Sequence, residues 1–149
     1  MTNETFTGYI LDELSIGQSA EMTREITEDR IQRFAEASDD FNPVHMDEEF
    51  ASRTAYRGRI AHGLLSASFV SAVVGTMLPG PGSIYLGQTL SFHKAVRIGD
   101  LVTGRVTVTH IDQESARVTL KTECLVDGEP VLDGEAVIRV PRKRRPARA

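Results

Sequence analysis

The sequence predicts an α+β domain in which an antiparallel sheet wraps around one long central helix. Three observations predict this fold class. The stretch from Ile60 to His93 contains no Asp, Glu, Lys or Arg, and its first half is apolar. The segments that follow alternate apolar and polar residues with the period of two that is typical of strands. Short turns such as Asp127-Gly128 separate these segments. Because an antiparallel sheet must cover its apolar face, we expect the apolar segment to be the helix that covers it.

The first third of the chain predicts a strand and two helices. Ser19–Ile26 is strand-like, and Thr27 is a suitable N-cap for an amphipathic helix that ends near Asp39. The helix cannot continue far beyond that point, because the residue before Pro43 is biased away from helical geometry. A second, short helix is predicted over residues 47–52.

The rest of the chain predicts the central helix and the remaining strands. His62–Leu78 is apolar on most sides, as expected for a buried helix. After a Pro/Gly turn, Ser83–Phe92 is strand-like, and period-two alternation continues around residues 105–110, 116–124 and 134–140. These strands form a meander whose exposed edges favour pairing with a second copy, so we expect a homodimer.

Length and composition describe an ordinary globular protein. The 149 residues favour one domain, which we assign to residues 1–140, followed by a basic tail over residues 141–149. The 40% hydrophobic and 26% charged residues exclude collagen-like, disulfide-scaffold and wholly disordered chains. The single cysteine, Cys124, cannot form an intrachain disulfide, and the N-terminal residues show no secretion signal. We therefore expect the protein in the reducing cytoplasm.

Charge and hydropathy argue against nucleic acid and membranes as partners. The tail carries five basic residues, and the remaining 12 basic residues face 21 acidic ones, a net charge of −9 for the body. An acidic body is poorly matched to a phosphate backbone. The tail is interrupted by Pro141 and Pro146, and we expect it to be solvated and disordered. The 17-residue apolar segment is interrupted by serines, whereas a membrane span needs about 20 apolar residues.

Two short segments carry the residues best suited to chemistry. Asp40 and His45 lie five residues apart around Pro43, and a carboxylate and an imidazole are effective proton carriers near neutral pH. Spacing alone fits a surface turn with an exposed histidine somewhat better. His62-Gly63 opens the central helix, where free N–H groups can hold a carbonyl oxygen that gains negative charge, or simply form a glycine-containing helix start. No metal-ligand spacing, serine-hydrolase elbow or phosphate-binding glycine loop is present in the sequence.

The segment Phe34-Ala-Glu-Ala-Ser-Asp-Asp-Phe-Asn-Pro-Val-His45, followed by Ala51, resembles the hydratase-2 motif of the MaoC-like dehydratases. This family includes the (R)-specific enoyl-CoA hydratases. The downstream His62-Gly63 and the run Gly82–Gln88 agree with the resemblance, which covers roughly residues 10–140. The sequence departs from the family pattern at Asp39, where glycine is usual.

The resemblance implies a hot-dog fold, a homodimer and reversible syn addition of water to a trans-2-enoyl-CoA without metal or redox cofactor. It implies that Asp40 and His45 are catalytic, that Asn42 orients them and that the Gly63 N–H holds the thioester carbonyl. Ser71 and Leu64 are expected to line the acyl pocket. The division of proton transfer between Asp40 and His45 stays open, because coupled groups share their titration.

Three other functions remain open at this stage. The first is dehydration of (R)-3-hydroxyacyl groups on acyl-carrier protein, which shares the phosphopantetheine arm with CoA; Lys94 and Arg97 suit the mouth of a site for either carrier. The second is thioester hydrolysis, which requires attack at the carbonyl carbon. The third is a non-catalytic binding module with a degenerate site.

Overall fold

The computed structural model describes residues 7–144, and within them the predicted architecture is confirmed. Six antiparallel strands form one sheet around a long helix. The strands are β1 (Ser19–Glu25), β2 (Ile84–Gln88), β3 (Ser91–Phe92), β4 (Leu101–Asp112), β5 (Arg117–Val126) and β6 (Glu129–Arg139). The helices are α1 (Glu28–Ser38), α2 (Pro43–Met46), α3 (Glu48–Ser52) and α4 (Gly63–Thr76), preceded by a 3-10 turn at Leu11–Glu13. The strand order is β1-β4-β5-β6-β2, and β3 pairs with β6.

Helix α4 is the predicted buried helix, and it packs across β4 and β5. The backbones come close at Gly104 of β4, where a Cβ would lie 3.1 Å from the Phe69 carbonyl carbon. A side chain at this position would push the helix away from the sheet, so the glycine permits the close packing. The core of α4 consists of Leu65, Phe69, Val70, Val73 and Val74, and the facing strands contribute Val102, Val106, Val118 and Leu120.

Helix α1 begins and ends where the sequence predicts. The Thr27 hydroxyl accepts a hydrogen bond from the Arg30 N–H at 3.1 Å. The helix ends at Ser38, and Asp39 follows with a φ of +63° in the left-handed region. Glycine is the favoured residue for this C-terminal position because it has no Cβ to clash with the backbone. The departure from the family pattern at Asp39 therefore falls on a position with a left-handed backbone.

Three local features differ from the sequence prediction. The predicted strand Ser83–Phe92 is two strands, β2 and β3, separated at Thr89 and Leu90. A bulge in the β4–β5 pairing near His110 moves that residue out of the alternation of Val106 and Val108, and its side chain is exposed. Finally, the segment after Asn42 forms the short helix α2 rather than a loop.

The hairpin between β5 and β6 is confirmed, with positive φ at both Asp127 (51°) and Gly128 (77°). This is the backbone geometry of a tight two-residue hairpin turn. On β5, Cys124 is fully buried beneath α4 and its Sγ donates to the Ser66 carbonyl oxygen at 3.2 Å. Burial raises the pKa of the Cys124 thiol to about 12.

The first residues of the basic tail contact the body of the domain. The Pro141 carbonyl oxygen accepts a hydrogen bond from the Leu11 N–H at 2.9 Å, and the Arg142 guanidinium donates to two backbone carbonyls of the β4–β5 turn. Residues 145–149, including Arg145 and Arg148, lie outside the described residues. Among residues 7–144, none of the helices has the length and apolar character needed to cross a bilayer.

Candidate active site

A cavity of about 400 Å³ opens beside the first turn of α4. Its walls come from the motif segment (residues 34–45), the start of α4, the chain after β3 and the beginning of β6. Both polar groups singled out in the motif, Asp40 and His45, face it together with Gly63. The other lining residues are Tyr56, Ile60, Ala61, His62, Leu64, Ser66, Phe92, His93, Lys94, Ala95, Val96, Val131 and Leu132.

The motif segment folds through a chain of local hydrogen bonds. The Asp40 carboxylate accepts from the Asn42 N–H at 3.2 Å, and the Asn42 side-chain oxygen accepts from the Val44 N–H at 3.1 Å. Pro43 occupies the first turn of α2, where its missing N–H costs no hydrogen bond. These bonds fold the segment locally, and the Asp40 and His45 side chains both line the cavity.

His45 is held in one tautomer by the backbone. Its Nδ1 lies 2.8 Å from the Ile60 carbonyl oxygen. A carbonyl can only accept a hydrogen bond, so Nδ1 carries the hydrogen and the neutral ring has its free lone pair on Nε2. The side chain is half-buried, and this burial lowers the pKa of His45 below its usual 6.5. The lowered pKa favours the neutral ring, which is the form that can accept a proton.

Arg59 ties the motif to two other parts of the fold. Its Nε donates to the His45 carbonyl oxygen at 2.6 Å, and its Nη1 pairs with the Glu28 carboxylate at 2.8 Å. The arginine side chain is only 12% exposed. A mostly buried guanidinium with both partners in place holds the start of α1, helix α2 and the segment before α4 in one arrangement.

Gly63 is the first residue of α4, and its N–H has no acceptor within the helix. The His62 side chain does not cap this end of the helix. The lack of a side chain at Gly63 also has a packing reason, since a Cβ would lie 2.6 Å from the ring of Phe92. A free N–H at a helix start, beside an apolar ring, is suited to binding a carbonyl oxygen.

Two of the predicted site residues do not face the cavity. In the single chain Ser71 is exposed and lies outside the lining of this cavity, and its expected place in the acyl pocket stays a prediction. Ser71 lies eight residues after Gly63, which is two helical turns and a further rotation of about 80°, so the two residues lie on different faces of α4. The Asn42 side chain caps α2 instead of contacting the Asp40 or His45 side chain; its backbone N–H makes the contact with Asp40. Leu64, by contrast, lines the cavity and is 58% exposed.

The sequence analysis missed Ser66 and gave His62 only a boundary role. Both are buried and line the cavity, and Ser66 Oγ and His62 Nδ1 have no hydrogen-bond partner among residues 7–144. The three-residue spacing between Gly63 and Ser66 was the available signal, because it places both near one face of the helix.

Asp40, His45 and His62 bring three polar atoms within 4.8 Å of one another. Spacing rules do not detect this cluster because His62 comes from a different segment than Asp40 and His45. The rings of His45 and His62 face each other with centroids 4.0 Å apart and planes tilted by 34°. A carboxylate beside a neutral imidazole is suited to binding and deprotonating a water molecule.

Comparison with known proteins places this site in a family. A family model described as "MaoC like domain" matches residues 13–128. The chain is 48% identical over 135 residues to an (R)-specific enoyl-CoA hydratase from Rhodospirillum rubrum, covering 91% of this chain and 94% of that protein. It is 46% identical over 132 residues to a 3-hydroxybutyryl-CoA dehydratase from Methylorubrum extorquens, covering 89% and 84%.

Solved structures agree. The unliganded R-hydratase from Pseudomonas aeruginosa superposes with a TM-score of 0.86 at 43% identity, covering 91% of this chain and 88% of that one. The sheet wrapped around α4 is therefore the hot-dog fold, and the chain belongs to the MaoC-like dehydratase family.

Proposed function

We propose that the protein is an (R)-specific enoyl-CoA hydratase, a hydro-lyase that adds water reversibly to trans-2-enoyl-CoA. The observation that carries the proposal is that the Asp40 carboxylate, the free Nε2 of His45 and the helix-start N–H of Gly63 share one cavity. The activities named for the relatives from R. rubrum and M. extorquens support the same reaction in its two directions.

The reaction needs a base for water, a proton for the α-carbon and a donor for the thioester oxygen. Water bound between Asp40 and His45 loses a proton to His45 Nε2 as its oxygen bonds to the β-carbon. The π electrons move toward the α-carbon and the carbonyl, and the Gly63 N–H stabilises the developing negative oxygen. The proton held by the Asp40–His45 couple then passes to the α-carbon, which completes the addition. Because both groups lie on one side of the substrate, the addition is syn.

A basic residue at the cavity suits a negatively charged carrier, although this residue already has a partner. Lys94 lines the cavity and forms an ion pair with Glu129. Arg97 does not line the cavity, and its guanidinium donates to the Tyr56 carbonyl oxygen. CoA offers phosphates that compete for such cations, and we propose CoA as the carrier because the relatives reported above are named for CoA substrates.

The test is a hydration assay on crotonyl-CoA and longer trans-2-enoyl-CoA thioesters. The loss of the enoyl thioester absorbance measures the rate, and chiral analysis identifies the product. We expect loss of the absorbance without release of free thiol, and an (R)-3-hydroxyacyl product. Release of free thiol would indicate a thioesterase. A far higher kcat/KM with the same acyl group on acyl-carrier protein would indicate a carrier-protein dehydratase.

We also propose that the enzyme is a homodimer that associates through β2. This strand lies at the edge of the sheet, and Ile84, Tyr85 and Leu86 are 53%, 39% and 41% exposed. An apolar edge strand without charged residues is a surface for pairing with another chain. Two further apolar side chains, Leu64 and Phe92, line the cavity and are 58% and 54% exposed in the single chain.

A further inference from the structure

The imidazole of His62 contacts both halves of the proposed proton-transfer couple. The residue is only 2% exposed and directly precedes α4. Its ring centroid lies 4.0 Å from that of His45 and 4.8 Å from that of Phe34 on α1. The ring of His45 is therefore supported by His62 on one of its faces.

His62 also holds the backbone of Asp40. Its Nε2 lies 2.9 Å from the Asp40 carbonyl oxygen, across 22 residues of sequence. Since a carbonyl can only accept, Nε2 carries a hydrogen and donates it. The peptide that follows Asp40 is thereby fixed, and a rotation of that peptide would move the carboxylate relative to His45.

Packing alone does not account for a histidine here. His62 Nδ1 is buried without a hydrogen-bond partner among residues 7–144. A buried polar atom without a partner destabilises a fold, so an apolar ring would fill the same space better. The benefit of the imidazole is the Nε2–H, which an apolar ring lacks.

We infer that His62 is a positioning residue for the hydration reaction: its Nε2–H fixes the Asp40 backbone while its ring supports His45. This inference rests on the proposed function. Displacing a reacting group by about 1 Å can cost on the order of 10²-fold in rate, so a group that fixes both members of the couple acts mainly on kcat. It is not expected to change substrate affinity strongly, since the His62 side chain does not cap the helix start where the Gly63 N–H lies.

The test compares two amides that differ by one methylene. In His62→Gln the side-chain NH₂ reaches the position of Nε2, whereas in His62→Asn it falls short of the Asp40 carbonyl. We expect His62→Gln to keep kcat on crotonyl-CoA within about 5-fold of wild type, and His62→Asn to lower kcat at least about 30-fold, with KM changed by less than about 3-fold in both. His62→Phe, which keeps an aromatic ring without a donor, should behave like His62→Asn.

His110→Gln is the matched control, because His110 is exposed on β4 and lies outside the cavity lining. Circular dichroism and thermal unfolding check that each variant is folded. Equal losses in His62→Gln and His62→Asn, or wild-type kcat in both, would overturn the positioning role. An inactive wild type would instead refute the proposed function, so the two failures are distinguishable.

Discussion

Asp40 and His45 lie in different surroundings although they share one cavity. Asp40 is exposed at the end of α1, whereas His45 is half-buried with one ring nitrogen bonded to the backbone. Burial lowers the pKa of His45 and so favours its neutral ring. The neutral ring is the form of His45 that the proposed reaction requires at its start.

Replacing either group should abolish most of the activity and leave the fold intact. Asp40→Asn and His45→Gln are near-isosteric, and we expect each to lower kcat on crotonyl-CoA by at least about 10²-fold. Asp39→Asn is the matched control for Asp40→Asn, because Asn tolerates the left-handed backbone of the neighbouring residue. Near-wild-type kcat in either cavity variant would remove that residue from the mechanism.

The pH dependence of kcat/KM should report the lowered pKa of His45. The residue acts as a base only when neutral, so kcat/KM rises with pH as the imidazolium loses its proton. Because burial lowers the pKa, this rise should be centred below 6.5, the usual value for histidine. Initial rates between about pH 4.5 and pH 8.5 measure it. A rise centred above the usual value would contradict the assignment of His45 as the buried base.

At the scale of elements, the hydrophobic pattern was sufficient for the long segments. Helix α4 is apolar on most sides, whereas buried residues alternate with more exposed ones along β4 and β5, and both patterns are visible in the sequence. The four-residue helix α2 has neither pattern. It is stabilised from outside, through the Arg59 and Ile60 contacts to His45 and Val44, and those partners cannot be read from local sequence.

The candidate site likewise contains residues that the local sequence indicated and contacts that it could not indicate. The sequence analysis assigned Asp40, His45 and Gly63 to one site, and all three line the same cavity. The hydrogen bond from His62 to Asp40 joins residues 22 apart, and burial of Ser66 depends on how α4 packs on β5. Such contacts follow from the tertiary fold, so residue spacing could not identify them.

The end of α1 allows a stabilising substitution. Asp39 adopts a φ of +63° immediately after Ser38, and an L-residue there is strained by about 1 kcal/mol relative to glycine. Asp39→Gly should raise the free energy of unfolding by about 0.5–1 kcal/mol and leave kcat within about 2-fold. Urea unfolding measures the first and the hydration assay the second. Lower stability would show that the Asp39 side chain contributes more than its backbone strain costs.

At the scale of the whole molecule, we predict that two copies of the chain associate through the exposed edge strand β2. Leu86→Lys places a charge on this edge, and we expect it to convert the proposed dimer to a monomer in sedimentation experiments at micromolar concentration. Leu101→Lys is the matched control: Leu101 is 60% exposed, pairs with Glu25 of β1 and lies away from β2. A dimer that survives Leu86→Lys would exclude β2 as the interface.

The burial of Cys124 makes the thiol a reporter of global opening. The sulfur lies under the central helix, bonded to the Ser66 carbonyl, and its raised pKa leaves almost no thiolate at neutral pH. A disulfide reagent should find no reactive thiol in the native protein and one thiol per chain in denaturant. The labelling rate in native buffer then measures how often the helix lifts from the sheet. Bound acyl-CoA should slow that rate, which would give a readout of substrate binding that is independent of turnover.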